Sequence, residues 1–187
     1  PPQGRADYAF IQHILASLDA NNGRCAILLP HGILFRDEEE AIRSGLVKAD
    51  KIECVIGLGP NLFYNSPMEA CIIIGNNNKR EELSNKIIFI NALNEVTRKN
   101  GESYLEDAHL DKILSAYAST EDIDGFKRTV SIDEIASNNF DLSLQKYVFI
   151  NNSFAVESYN MSDCFAKWQI ASNDLHVSIN QLTDLLK

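Results

Sequence analysis

The sequence predicts an α/β chain in which parallel strands lead into an antiparallel hairpin, followed by a C-terminal helical arm. Three observations carry this. Arg24–Pro30 (RCAILLP), Ile52–Leu58 (IECVIGL) and Glu69–Gly75 (EACIIIG) are short continuous apolar runs, the pattern of strands buried on both faces. A helix-period segment separates the first two, whereas only the ten residues Gly59–Met68, with Pro60 and Pro67 among them, separate the second from the third. Over the last thirty residues Phe165, Trp168, Leu175, Ile179, Leu182 and Leu186 fall on a heptad seam interrupted at Ser172.

The elements follow in order. Asp7–Leu18 sets Phe10, Ile11, Ile14, Leu15 and Leu18 on one helical face and stops before Asn21-Asn22-Gly23, a suitable helix end. Pro30 closes the first strand. Asp37-Glu38-Glu39-Glu40 supplies an N-cap and an acidic first turn for a helix reaching about Ala49, with Ala41, Ile42, Leu46 and Val47 as its apolar residues. A helical link makes the strands on either side of it parallel neighbours by a right-handed crossover. Ten residues are too few for a second crossover, so IECVIGL and EACIIIG form an antiparallel hairpin. Lys86–Ala92 (KIIFINA) is a further strand. Leu105–Ala118 is a helix with Leu110, Ile113, Leu114 and Tyr117 on one face, and Thr120–Asn152 reads as an irregular covering segment. A sheet of this make-up leaves an edge and much of a face uncovered, so it is expected to be a piece of a larger domain.

Composition narrows the function. With 187 residues, 45% hydrophobic and 23% charged, the chain suits one domain, or one domain plus an arm. A formal charge of −9 argues against a stand-alone nucleic-acid binder, whose affinity comes from a basic surface, but leaves room for DNA contact inside a larger basic assembly. No apolar run approaches the ~20 residues of a membrane span and no signal-peptide pattern opens the chain, so no membrane partner and a cytoplasmic location are expected. Cys25, Cys54, Cys71 and Cys164 are scattered singly without CxxC or zinc-ligand spacing, so no metal site is expected and buried free thiols are.

Few motifs carry chemistry. Gly57-Leu58-Gly59 lacks the third glycine, the following helix and the downstream acid of a dinucleotide turn, and reads as a strand end. His13 and His31 are isolated and read as structural. The loop Gly59-Pro60-Asn61-Leu62-Phe63-Tyr64-Asn65-Ser66-Pro67 is different, because two adjacent aromatics stand in a polar, proline-bounded loop. It is either a plug over the end of the sheet or a stacking platform for a base.

Five blocks then occur in characteristic order: ADYAFIQHIL, GRCAILLPHGILFR, IECVIGLGPNLFY…ACIIIGNNNK, KIIFINA and IASNNFDLSLQKYV. Together, over roughly residues 4–150, they resemble the modification (methylation) subunit of type I restriction-modification systems, adenine-specific DNA methyltransferases that use S-adenosylmethionine. The resemblance implies a fold that is the C-terminal portion of a Rossmann-like methyltransferase sheet, with residues 1–152 in the catalytic domain and 153–187 as a subunit-docking arm, a helix packed in cis being the alternative for that arm. It implies methyl transfer to the exocyclic adenine amine. It also implies DNA, a specificity subunit and a restriction subunit as partners, with a second methylation subunit as a candidate. By the same resemblance Phe63, with Tyr64 as the less favoured alternative, stacks on the extruded adenine, supported by Pro60 and Asn61. The family's Gly-rich cofactor turn and Asn-Pro-Pro-aromatic loop lie upstream of the matching region. No catalytic or cofactor-binding residue is therefore assigned within this chain, which is expected to be inactive alone. The competing expectation is a non-enzymatic interaction module derived from a methyltransferase.

Overall fold

The computed structural model describes residues 4–63, 66–99, 101–148 and 161–185. The chain divides into two compact units, Pro1–Ile150 and Asn151–Lys187. In the first, α1 (Asp7–Ser17) precedes β1 (Arg24–Pro30), α2 (Glu40–Lys48), β2 (Ile52–Leu58), β3 (Ala70–Asn76) and β4 (Lys86–Ala92). A small hairpin, β5 (Thr97–Lys99) and β6 (Glu102–Tyr104), leads into α3 (Asp107–Ala118), β7 (Lys127–Ser131), α4 (Ile132–Ser137) and α5 (Leu144–Tyr147).

Five strands form one mixed sheet in the order β1-β3-β2-β4-β7. The expected β2–β3 hairpin is present and antiparallel, and β4 runs parallel to β2. The expected β1–β2 neighbourhood is corrected. The two strands are parallel, but β3 lies between them, antiparallel to both. A short β2–β3 link forces β3 to return beside β2, and β1 then takes the only edge of β3 still open. One row of partners crosses the whole sheet, Leu28–Ile72–Ile56–Ile90–Lys127.

Alternation along the central strands feeds two cores. Val55, Ile73, Ile87 and Phe89 meet Tyr8 and Ile11 of α1, Val47 of α2, Ile135 of α4 and Leu144 and Tyr147 of α5. Cys54, Ile56, Leu58, Ile88 and Ile90 point the other way, onto Ile113 and Ala116 of α3 and onto Phe126. Every residue of β2 is buried, but β1 is not buried on both faces as its apolar run suggests, since Arg24, Ala26 and Leu28 are exposed. It is an edge strand whose second face α3 does not cover.

Other expectations shift similarly. Helix α1 buries Tyr8 and Ile11 and leaves Phe10 64% exposed, and it ends at Ser17 on an extended Leu18 rather than at Asn21-Asn22-Gly23. Asp37–Glu39 form a 3₁₀ turn ahead of α2, which buries Arg43 and Val47. On α3 the buried residues are Ile113 and Ala116, while Leu110 and Leu114 are exposed. The region read as irregular contains β7, α4 and α5, with β7 paired antiparallel to β4.

In the second unit α6 (Met161–Leu185) is a continuous helix of 25 residues. Phe165, Trp168, Leu175 and Ile179 of the seam are exposed, and the rings of Phe165 and Trp168 meet at 5.7 Å between centroids. The Leu182 side chain and Leu186 lie outside the described residues. Among the described residues no helix is long and apolar enough to cross a membrane.

Candidate functional site

Because β1, β2 and β4 run parallel, their carboxyl ends share one rim of the sheet, the rim at which open α/β sheets place ligands. Three connections meet there: His31 after β1, the Gly59–Glu69 loop after β2, and the segment carrying β5 and β6 after β4.

Gly59 sets the exit of the loop. A Cβ there would lie 2.5 Å from the carbonyl oxygen of Leu93 and 2.9 Å from Cγ1 of Val96, so only glycine lets the loop press against the turn beyond β4. Pro60 follows half-buried, and Asn61 turns the chain in the left-handed region at φ 60°. The Asn61 carbonyl accepts the Ser103 amide at 3.2 Å, which fastens β6 to the loop. The Phe63 carbonyl accepts the Ser66 amide at 3.0 Å, closing the tip. At its far end Glu69 takes the His31 amide on its carbonyl at 3.2 Å and the His31 Nδ1 on its carboxylate at 3.0 Å. His31 Nε2 is buried without a partner among the described residues, and the ring sits edge-on to Phe35.

Phe63 is 36% exposed and divides two hollows. On one side lies a cleft of about 520 Å³ lined by Asn61, Leu62, Ser66, Pro67, Gly101, Glu102 and Ser103. On the other is an apolar hollow of about 200 Å³ lined by Leu28, Leu29, Pro30, Met68, Glu69 and Ala70. Ser103 is buried and its hydroxyl has no partner among the described residues. The arrangement offers a π-face beside a few polar groups, which suits holding a planar ring by its face and edge.

Of the sequence-predicted residues, Pro60, Asn61 and Phe63 come together in this loop, while Tyr64 lies outside the described residues. His13 is exposed on α1 and lines neither hollow. The Cys54 and Cys71 thiols are poor nucleophiles, since burial raises Cys54 well above its ordinary value and pushes Cys71 up to about 12. Sequence reasoning missed the β5–β6 hairpin, and with it Glu102 and Ser103. The dipeptide Asn100-Gly101, a strong hairpin-turn signal, could have revealed it. The Gly57-Leu58-Gly59 segment is a strand end: a Cβ on Gly57 would meet Leu144 Cδ1 at 2.5 Å, and no helix follows. Among the described residues no group of three His, Cys, Asp or Glu side chains could hold a metal ion.

Residues 1–154 match the family model described as N-6 DNA Methylase. The chain belongs to the N-6 DNA methylase family. It is 40% identical over 156 residues to the type I restriction enzyme MjaVII methylase subunit of Methanocaldococcus jannaschii, covering 80% of this chain and 26% of that protein. To the MpnII methylase subunit of Mycoplasma pneumoniae it is 32% identical over 148 residues, covering 79% of this chain and 27% of the relative. The chain thus spans only about a quarter of the length of these curated relatives. Among solved structures, the type I restriction-modification methyltransferase subunit from Streptococcus thermophilus matches with a TM-score of 0.74 at 39% identity, over 80% of this chain and 31% of that one. The EcoKI M protein shares the fold, at a TM-score of 0.62 and 15% identity over 80% of this chain and 39% of that one. The expected resemblance to type I methylation subunits is therefore borne out, with a mixed sheet as the architecture of this N-6 DNA methylase segment.

Proposed function

We propose that this chain is the downstream portion of the Rossmann-like catalytic domain of a type I modification subunit, which transfers a methyl group from S-adenosylmethionine to the exocyclic amine of adenine in DNA. Within it, Phe63 is the face on which the extruded adenine stacks, with Pro60 and Asn61 shaping the loop. One observation carries this reading: a half-exposed aromatic on a loop fixed at both ends, standing over a polar cleft at the carboxyl rim of the parallel strands. A base inside a duplex cannot offer its amine to a donor, so extrusion requires such a receiving surface.

The methyl donor does not fit the residues present. Among the described residues no strand runs through a glycine-rich turn into a helix, and the ends of β2 and β4 are occupied by the loop and the hairpin. No step is assigned to the donor here, and the chain by itself is not expected to methylate DNA. The half-exposed β1 edge is where further strands of a complete sheet would pair. The exposed apolar residues of α6 suit docking onto a specificity subunit, through which a restriction subunit or a second methylation subunit would join. A cytoplasmic location fits this reading.

The test uses the full-length subunit in its assembled complex and a duplex carrying 2-aminopurine at the target position. Phe63→Ala is expected to reduce retention of the everted base by about 5- to 150-fold, the loss of a stacking contact of ~1–3 kcal/mol. Methylation should fall with the fluorescence change, while donor affinity stays as in the parent. Unaltered fluorescence and methylation would remove Phe63 from the site.

A further inference from the structure

The cations of this acidic chain are almost all spoken for. Arg5 pairs with Glu38, Arg24 with Glu53, Arg36 with Asp7, Lys79 with Asp50, Lys112 with Glu95 and Arg128 with Glu134. The buried Arg43 and Lys127 donate to backbone carbonyls. Among the described residues only Lys86, Arg98 and Lys99 find no carboxylate, carbonyl or ring for their charged groups. Lys86 begins β4, at the opposite end of the sheet from Phe63. Arg98 and Lys99 are adjacent and exposed on β5, at the same rim as Phe63.

Their placement is fixed by the hairpin. Arg98 pairs with Ser103 across the ladder and Lys99 with Glu102. Opposed residues share a face and successive ones alternate, so Arg98 stands with Ser103 and Lys99 with Glu102 on opposite faces of the ribbon, and both Ser103 and Glu102 line the cleft. The opposed Lys99 and Glu102 form no ion pair. Of the other nearby acids, Glu95 holds Lys112 at 2.5 Å and Glu106 caps α3. The Ser103 amide, bonded to the Asn61 carbonyl, ties the hairpin to the loop.

We infer that the β5–β6 hairpin is a phosphate clamp for the DNA strand that delivers the base, with Arg98 and Lys99 each neutralising one backbone phosphate beside the extruded nucleotide. This rests on the reading that the Phe63 rim receives DNA. Two unpaired cations on a hairpin bonded to the loop that carries a stacking face match the two parts of a nucleotide, in a chain whose net charge of −9 would otherwise repel the strand. An acidic protein surface is the alternative occupant. The adjacency to Phe63 favours nucleic acid.

The full-length subunit in its assembled complex is measured for target-duplex affinity between 50 and 200 mM salt. Arg98→Ala/Lys99→Ala is expected to lower the slope of log affinity against log salt by about two, one counterion for each lost phosphate contact. The charge-preserving Arg98→Lys/Lys99→Arg variant should keep the parent slope. At saturating DNA the 2-aminopurine signal of the alanine variant should equal the parent's, whereas Phe63→Ala loses that signal and keeps the slope. A reduced slope beside an undiminished Phe63→Ala signal would support the clamp and defeat the stacking assignment. An unchanged slope and affinity in the alanine variant would overturn the clamp, as would loss of subunit co-purification without a change in slope.

Discussion

Arg43 shows how far a single side chain can govern the site from beneath. Its guanidinium is buried, with Nε donating to the Phe140 carbonyl at 2.7 Å and Nη1 to those of Arg36 at 2.9 Å and Ile33 at 3.4 Å. Ile33 also accepts the Tyr8 hydroxyl at 3.0 Å, and burial raises that phenol above its ordinary value. These bonds fix the turn that follows His31, and hence one anchor of the Phe63 loop. Arg43→Met would remove the donors and leave buried carbonyls unpaired, at a cost of about 3 kcal/mol read from the urea midpoint. Nothing in the sequence distinguishes Arg43 from a solvated helix arginine. Phe63 was legible because an aromatic pair in a polar loop is conspicuous. The His31–Glu69 pair was not, since only the β1–β3 register brings residues 38 positions apart together.

At the scale of elements, the β2–β3 loop depends on how closely its neighbours approach. Gly59 faces a carbonyl oxygen, which cannot move without the backbone of the turn beyond β4, whereas Gly57 faces the end of the Leu144 side chain. Gly59→Ala should therefore cost about 2 kcal/mol by overpacking and displace the loop, and Gly57→Ala should cost less because Leu144 can change rotamer. Urea unfolding of the two variants gives the order directly. An equal effect would mean that the Leu93 carbonyl is not the constraint. Strand β7 was illegible for a related reason. Of Lys127–Ser131 only Val130 is apolar, and the segment is a strand because β4 presents an open edge and the Lys127 ammonium finds the carbonyls of Ser119 at 2.6 Å and Glu121 at 3.0 Å. The exposed Leu110 and Leu114 of α3 show that helical period places an apolar stripe without saying how wide a neighbour will cover it.

At the scale of the whole molecule, 25 residues of helix with exposed aromatics make up the described part of the second unit. Removing everything after Tyr159 from the full-length subunit is expected to abolish co-purification with a specificity subunit while leaving the sheet unit folded by circular dichroism. Retained assembly would show that α6 is not the docking element. The net charge of −9 sets a related demand on the proposed function, under which DNA affinity would come from partners and from the few free cations at the Phe63 rim.

By itself the sequence determined what local pattern can encode: the apolar runs of β2, β3 and β4, the hairpin forced by a ten-residue link, and the conspicuous Phe63 loop. The tertiary structure alone decided that β3 lies between β1 and β2, that β1 is an edge, and that β7 forms at all. It also decided that Ser103 and Glu69 gather around Phe63, and that Arg98 stands opposite Ser103 on the hairpin. The difference is physical: periodicity and loop length act over a few residues, whereas strand order and side-chain convergence depend on which edges and faces remain open once the nearer pairings are made.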